Sequence, residues 1–92
     1  METYVIIRRG IADPDTVEHV AARSAHELAA RSDRLRRIRS YVLAQDDGRL
    51  GTICVYQAAS VDDIREHGRA ADLAVDEVFQ VAAVDVERTD PP

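Results

Sequence analysis

The pattern of apolar and polar positions predicts four strands. The segment 3–9 is apolar on both faces, as in a central strand. The segments 38–45 and 50–58 are rich in β-branched and aromatic residues, and they flank Asp47-Gly48, a strong hairpin signal. A fourth, largely apolar strand is predicted from about Glu77 to Glu87. The chain therefore has two strands at its ends and a hairpin near its middle.

Two amphipathic helices are predicted between these strands. The first begins at Asp13, an N-cap before a proline, and runs to about Leu35. The second covers about 61–71, because Ser60 and Asp63 have the spacing of a capping box. Each helix carries an apolar stripe with helical spacing, so each is expected to pack one face on the sheet.

The predicted order of elements is therefore βαββαβ. Right-handed crossovers place the first and third strands in the centre of a four-stranded antiparallel sheet, with both helices on one face. This architecture is a ferredoxin-like α+β sandwich, and we expect residues 1–92 to form a single domain.

The hairpin determines which side chains share a face of the sheet. A two- or four-residue loop places Ser40 opposite Val55 and Tyr41 opposite Cys54. The face under the helices is then expected to carry Ile38, Ser40, Val42, Ile53 and Val55. The helix-free face is expected to carry Tyr4, Ile6, Arg39, Tyr41, Leu43, Thr52, Cys54 and Tyr56. That face is too apolar for a monomer, so we predict a homodimer that packs sheet against sheet, a dimeric α/β-barrel type of association.

Composition and charge exclude several classes of partner. The chain has 12 basic and 17 acidic side chains and a formal charge of −5, which argues against a nucleic-acid or anionic-membrane surface. Its apolar runs are short, which argues against a membrane span. A single cysteine excludes an internal disulfide framework, and together with the absence of an export-like N-terminus it favours the cytoplasm.

The candidate chemistry centres on His67, which stands beside the inner stripe of the second helix. With Cys54 it is one of two nitrogen or sulfur ligands that the pattern does not place on the surface, so one hypothesis is a metal site with His67 as ligand. A second is a cofactor-independent enzyme of the dimeric α/β-barrel type, a monooxygenase or isomerase, with His67 as general base and Tyr41 or Tyr56 as hydrogen-bond donor. A third is a dimeric binding module without chemistry. The candidate ligand-binding residues are Arg39, Tyr41, Cys54, Tyr56 and His67.

Three segments resemble one known family: SYV at 40–42, CVYQA at 54–58 and IREHGRAA at 64–71. They are similar to small bacterial ferredoxin-like proteins, often labelled as a domain of unknown function, in which nickel binding has been described. The resemblance covers most of the chain from Ile38 onward. The family has a histidine where this chain has Arg39, and Ala-Gly-Phe-Pro where it has Ala71-Asp72-Leu73-Ala74.

The resemblance implies the same fold and a metal or small-ligand binding role, with nickel as the cofactor and His67 as a ligand. The departure at Arg39 changes the donor set, because a guanidinium cannot ligate a metal as an imidazole does. We therefore expect nickel binding by this chain to be weak or absent.

Overall fold

The computed structural model describes residues 1–91, which form four strands and two helices. The elements in order are β1 (Glu2–Ala12), α1 (Val17–Ala29), β2 (Leu35–Ala44), β3 (Leu50–Ala58), α2 (Val61–Ala70) and β4 (Glu77–Gln80). The strands form one antiparallel sheet in the order β2-β3-β1-β4, with β1 and β3 in the centre. The predicted ferredoxin-like βαββαβ architecture is confirmed.

The second helix begins as its capping box predicts. The Ser60 hydroxyl accepts a hydrogen bond from the backbone N–H of Asp63 at 3.2 Å, and it donates one to the Asp63 carboxylate at 2.9 Å. The helix then runs from Val61 to Ala70 and buries Ile64 completely.

The first helix is shorter than predicted at both ends. Thr16 is its N-cap residue in place of Asp13, because segment 13–16 forms a turn in which the Thr16 hydroxyl accepts from the Asp13 N–H at 2.9 Å. Helix α1 ends at Ala29, and the predicted end at Leu35 is wrong. Leu35 is instead the first residue of β2, paired with Ala58 and 1% exposed. Burial of that leucine beside the sheet outweighs its helix propensity.

The register of the hairpin also differs from the prediction. Ser40 pairs with Cys54 and Tyr41 pairs with Ile53, one residue away from the predicted partners. The cause is the loop, because β2 ends at Ala44 and segment 45–49 forms the connection. A backbone hydrogen bond of 3.1 Å from residue 45 to residue 49 closes that loop.

This shift of one residue exchanges the two faces of β3, because successive side chains of a strand point to opposite faces. Cys54 and Tyr56 lie under the helices, whereas Ile53 and Val55 lie on the helix-free face, the reverse of the prediction. Tyr4 and Ile6 were also predicted on the helix-free face, and they too are buried under the helices. The prediction was correct for most of β2, where Ser40 and Val42 lie on the helix side and Arg39, Tyr41 and Leu43 on the helix-free face. It was wrong for Ile38, which lies on the helix-free face because the register is irregular between Arg37 and Arg39.

The core consists of two clusters of buried side chains on the helix side of the sheet. The larger contains Tyr4, Ile6, Leu35, Cys54, Tyr56, Ala58 and Ile64. The smaller contains Ala12, Val20, Ala71 and Leu73. Between them along β1 lies Arg8, a charged side chain that is only 2% exposed.

The last strand ends at Gln80, so the prediction of a strand to Glu87 is wrong. Gln80 pairs with Tyr4, and because β1 begins at Glu2, a longer β4 would have almost no strand left to pair with. The chain instead crosses the helix-free face as an irregular tail, residues 81–91, and reaches β2 where Asp90 pairs with Arg39 at 2.7 Å. The tail thus covers part of the helix-free face.

Candidate functional site

A cavity of about 340 Å³ lies between α1 and the helix side of the sheet. We refer to it as the α1 pocket. Its aliphatic wall is formed by Ile11, Val17, Val20, Ala21, Val42 and Leu73. Its polar lining consists of Arg8, Ser24, Arg37, Ser40, Thr52, Cys54 and Tyr56. Its volume is at the lower end of the range for small-molecule sites. Its combination of an apolar wall with a small number of polar groups is also typical of such sites.

The most unusual group in the wall is the guanidinium of Arg8. Its Nη1 contacts the Cys54 sulfur at 3.8 Å, and its Cζ lies 6.0 Å from the centre of the Tyr56 ring. Its Nε and Nη2 have no hydrogen-bond partner within residues 1–91, and none of the ion pairs of that segment involves Arg8. A buried cation without a counter-charge costs several kcal/mol. Such a group is an energetic defect unless a ligand uses it.

Several hydroxyl groups lie in the same pocket wall as this cation. The Tyr56 hydroxyl is buried without a partner in the described chain, and so is that of Thr52. Burial raises the pKa of Tyr56, an effect that the positive charge of Arg8 partly offsets, so the phenol remains protonated and can donate. The Ser40 hydroxyl donates to the Cys54 sulfur at 3.1 Å. The pocket therefore offers several hydrogen-bond donors beside the buried positive charge of Arg8.

His67 lies behind this pocket and does not form part of its wall. Its imidazole is fully buried, and its Nε2 lies 3.1 Å from the Ser24 carbonyl oxygen on α1. Because a carbonyl can only accept, Nε2 carries the hydrogen and donates, which leaves Nδ1 unprotonated and without a partner in residues 1–91. The ring stands edge-on to Tyr56 at a centroid distance of 6.0 Å. His67 therefore links α2 to α1 and to the core.

Burial is the main influence on the titration of His67. It lowers the pKa from the ordinary 6.5, and the positive charge of Arg8 acts in the same direction, whereas the Ser24 carbonyl acts in the opposite direction. The imidazole is consequently neutral at pH 7.

The predicted site residues do not lie together. Arg39 and Tyr41 are on the helix-free face, where the Tyr41 hydroxyl donates to Asp90 at 2.7 Å. Cys54, Tyr56 and His67 are on the other side of the sheet, under the helices. The prediction that Arg39, Tyr41, Cys54 and Tyr56 share one face is wrong, because the register of β3 differs by one residue.

Sequence analysis missed Arg8 and Ser24. The signal for Arg8 was present, since it continues the alternation of Tyr4 and Ile6 as a charged residue on an apolar face. The signal for Ser24 was not, because a serine in a polar stretch of helix resembles any solvated position.

The donor set does not fit a nickel ion. Within residues 1–91 there is no group of three or more His, Cys, Asp and Glu side chains placed to hold a metal. Position 39, where the family has a histidine, and His67 lie on opposite sides of the sheet. The two positions therefore cannot ligate the same ion.

The fold and the site together define a ferredoxin-like α+β protein with a ligand-sized pocket between its sheet and helices. The fold is similar to that of the crystal structure of SCO4226 from Streptomyces coelicolor A3(2), with a TM-score of 0.67 at 15% identity, over 90% of this chain and 99% of that one. Residues 4–81 match the family described as nickel responsive protein SCO4226-like, and the chain belongs to that family. No curated protein matches the sequence. No helix of residues 1–91 is long and apolar enough to cross a membrane.

The pKa of His67 predicts a specific loss of stability in mild acid. The unfolded chain takes up a proton near pH 6.5, whereas the folded chain resists protonation. This stability is fully present above pH 6.5 and falls as pH decreases towards the folded pKa, by at most about 1.4 kcal/mol per pH unit. Urea unfolding of the wild type between pH 7 and 5 should show this slope.

The same series on two variants assigns the slope. His67→Gln should flatten it, and His26→Gln, at an exposed position of α1, should leave it unchanged. An unaltered slope in His67→Gln would show that the imidazole titrates alike in both states.

Proposed function

We propose that this protein binds a small organic ligand in the α1 pocket, and that it does so as a homodimer. The observation that carries the proposal is the pocket itself. It has an aliphatic wall, and within residues 1–91 no partner is found for Nε and Nη2 of Arg8 or for the buried hydroxyls of Thr52 and Tyr56. Apolar walls with a few convergent polar groups are typical of sites that bind and orient small molecules.

The family description concerns nickel, and the α1 pocket is an unfavourable place for that ion. Arg8 is a fixed positive charge in a buried environment, and it repels a divalent cation. The Cys54 sulfur already contacts both Ser40 and Arg8. We therefore propose that His67 is a structural link between the helices in this chain. We also propose that the ligand of the α1 pocket is not a bare metal ion.

A binding role is better supported than an enzymatic one. A general base must reach the proton that it removes, directly or through one water. His67 is fully buried behind Ser24, and its protonated Nε2 donates to a backbone carbonyl. The polar groups that do line the pocket are mainly hydroxyl donors and two guanidinium groups, which suits recognition of a ligand.

The helix-free face supports the homodimer. Phe79 and Tyr41 on this face are 53% and 41% exposed, and the tail that crosses it adds Val84 and Val86 at 72% and 69%. A small domain rarely leaves such an apolar surface in water. A second copy of the chain offers the same apolar surface and buries both by twofold packing.

Ligand binding in the pocket can be tested with two probes of similar shape, the neutral benzamide and the anionic benzoate. We expect at least one of them to shift the backbone amide resonances of Ser24 and Cys54 in an NMR titration at millimolar concentration. Ala21→Trp should remove these shifts by filling the pocket, because Ala21 lies in its wall.

Ala22→Trp is the matched control, since the next residue of the same helix is exposed and does not line the pocket. The control should retain the shifts. If neither probe perturbs the pocket amides, ligand binding in the pocket is contradicted.

The dimer predicts a mass near twice the 10.2 kDa of the chain in light scattering. Phe79→Glu should reduce the mass towards that of a monomer, because the new charge lies in the surface that the proposed dimer buries. Ala22→Glu adds the same charge on an exposed position of α1 and should leave the mass unchanged. A monomer mass for the wild type, independent of concentration, would refute the proposed association.

Nickel should bind weakly to the tag-free protein in calorimetry, with no stoichiometric submicromolar site. His67→Gln should not alter the titration, since the imidazole is fully buried and belongs to no group of three potential ligand side chains within residues 1–91. Tight binding that disappears in His67→Gln would instead make His67 a ligand and remove the structural role that we propose for it.

A further inference from the structure

We infer that the ligand of the α1 pocket is a small organic anion, by class a monocarboxylate, whose charged group is bound by Arg8. This inference rests on the proposed function and gives the ligand its chemical class. It concerns a residue to which the family resemblance assigns no role.

The first argument is the unpartnered edge of the Arg8 guanidinium, which belongs to the pocket wall. Its Nη1 is used by Cys54, whereas Nε and Nη2 have no partner in the described chain. These two nitrogens form one side of the guanidinium, and their N–H groups point in parallel directions. That edge matches the two oxygens of a carboxylate and binds them bidentately.

The second argument is the charge of the lining. The α1 pocket has two arginines in its wall, the buried Arg8 and the more exposed Arg37 on β2, and no aspartate or glutamate of residues 1–91 lines it. The chain as a whole carries a formal charge of −5. The overall negative charge repels anions at long range. The affinity of the pocket for an anion must therefore come from direct contact with its arginines.

The third argument is the rest of the wall. The cavity of about 340 Å³ is far larger than a carboxylate needs, and at ~30 Å³ each it would hold about eleven waters. Val17, Val20 and Leu73 line it with aliphatic surface. The anion therefore carries an apolar body of about ten heavy atoms, which an inorganic ion lacks.

The hydroxyls complete the site. Tyr56 and Thr52 lie in the same wall with buried oxygens that have no partner in residues 1–91. A protonated phenol donates to a carboxylate oxygen as readily as to water, and the bond is strengthened by the charge of the acceptor. One free guanidinium edge with one or two neighbouring hydroxyls satisfies a single carboxylate, which favours a monoanion.

The test compares benzoate with benzamide, which has nearly the same shape and no charge. In NMR titrations we expect benzoate to bind at least about tenfold more tightly than benzamide, because charge-assisted bonds to the Arg8 edge are made only by the carboxylate. Inorganic phosphate should bind more weakly than benzoate, since it lacks the apolar body.

Three variants locate the effect. Arg8→Met should abolish the preference for benzoate, and it should fold because an apolar chain of similar length replaces an unpaired buried charge. Arg8→Lys keeps the charge without the bidentate edge and should reduce the preference for benzoate. It tests the same contact if Arg8→Met does not fold. Arg36→Met removes the same charge from an exposed neighbour of Arg37 that does not line the pocket, and should retain the full preference.

The outcomes separate this inference from the proposed function. Equal affinities of the pocket for benzoate and benzamide, unchanged in Arg8→Met, would support a ligand pocket and contradict the inference that its ligand is an anion. Tighter binding of phosphate than of benzoate would contradict the inference that the ligand carries an apolar organic body. Absence of any shift with either aromatic probe would overturn both proposals.

Discussion

The pairing of β1 with β3 is the constraint on which the rest of this structure depends. Tyr4 faces Tyr56 and Ile6 faces Cys54 across the centre of the sheet, and the next pair on the same face joins Arg8 to Thr52. Since side chains alternate along a strand, this one register places two apolar pairs and then a cation beneath the helices. A shift of β1 by one residue against β3 would move Tyr4, Ile6 and Arg8 to the helix-free face and separate the two tyrosines. The core and the pocket are thus set by the same hydrogen-bond ladder.

The helices cover this surface unevenly, and the pocket results from that. Helix α2 seals the larger cluster with Ile64, and the bond from His67 to Ser24 fixes α1 beside it. Helix α1 meets the smaller cluster through Val20, so the two halves of the core close on either side of Arg8. Well-packed apolar side chains of similar volume would be at least as stable as an unpaired buried charge. A protein that retains such a charge gives up stability, a pattern that is usual where a site must bind something.

The opposite face obeys a different constraint, the length of β1. Because β1 begins at Glu2, β4 has no partner beyond its pairing with Tyr4 and Thr3, and the chain leaves the sheet after Val81. The tail then crosses the helix-free face, held at its far end by Arg39 and Asp90. At the position where the family has a histidine, this chain therefore makes an ion pair within its own fold. That pair is half exposed and contributes little stability by itself, so its main effect is to orient the tail.

The sequence by itself determined the order of the elements, the central position of β1 and β3, the bounds of β3 and the start of α2, because these follow from local signals. The capping box at Ser60 and the apolar run of β3 act within a few residues of where they stand. Tertiary structure decided which face of β3 is buried, because the side-chain period of two makes the face depend on a loop length that Asp47-Gly48 alone does not fix. It also ended α1 before Leu35, whose burial against the sheet is a long-range contact. For the candidate site, the types of residue were visible and their grouping was not. Cys54 and Tyr56 share a face because they stand two residues apart on β3, whereas Arg8 and Ser24 reach them only through the pairing of β1 with β3 and the packing of α1, which no spacing along the chain encodes.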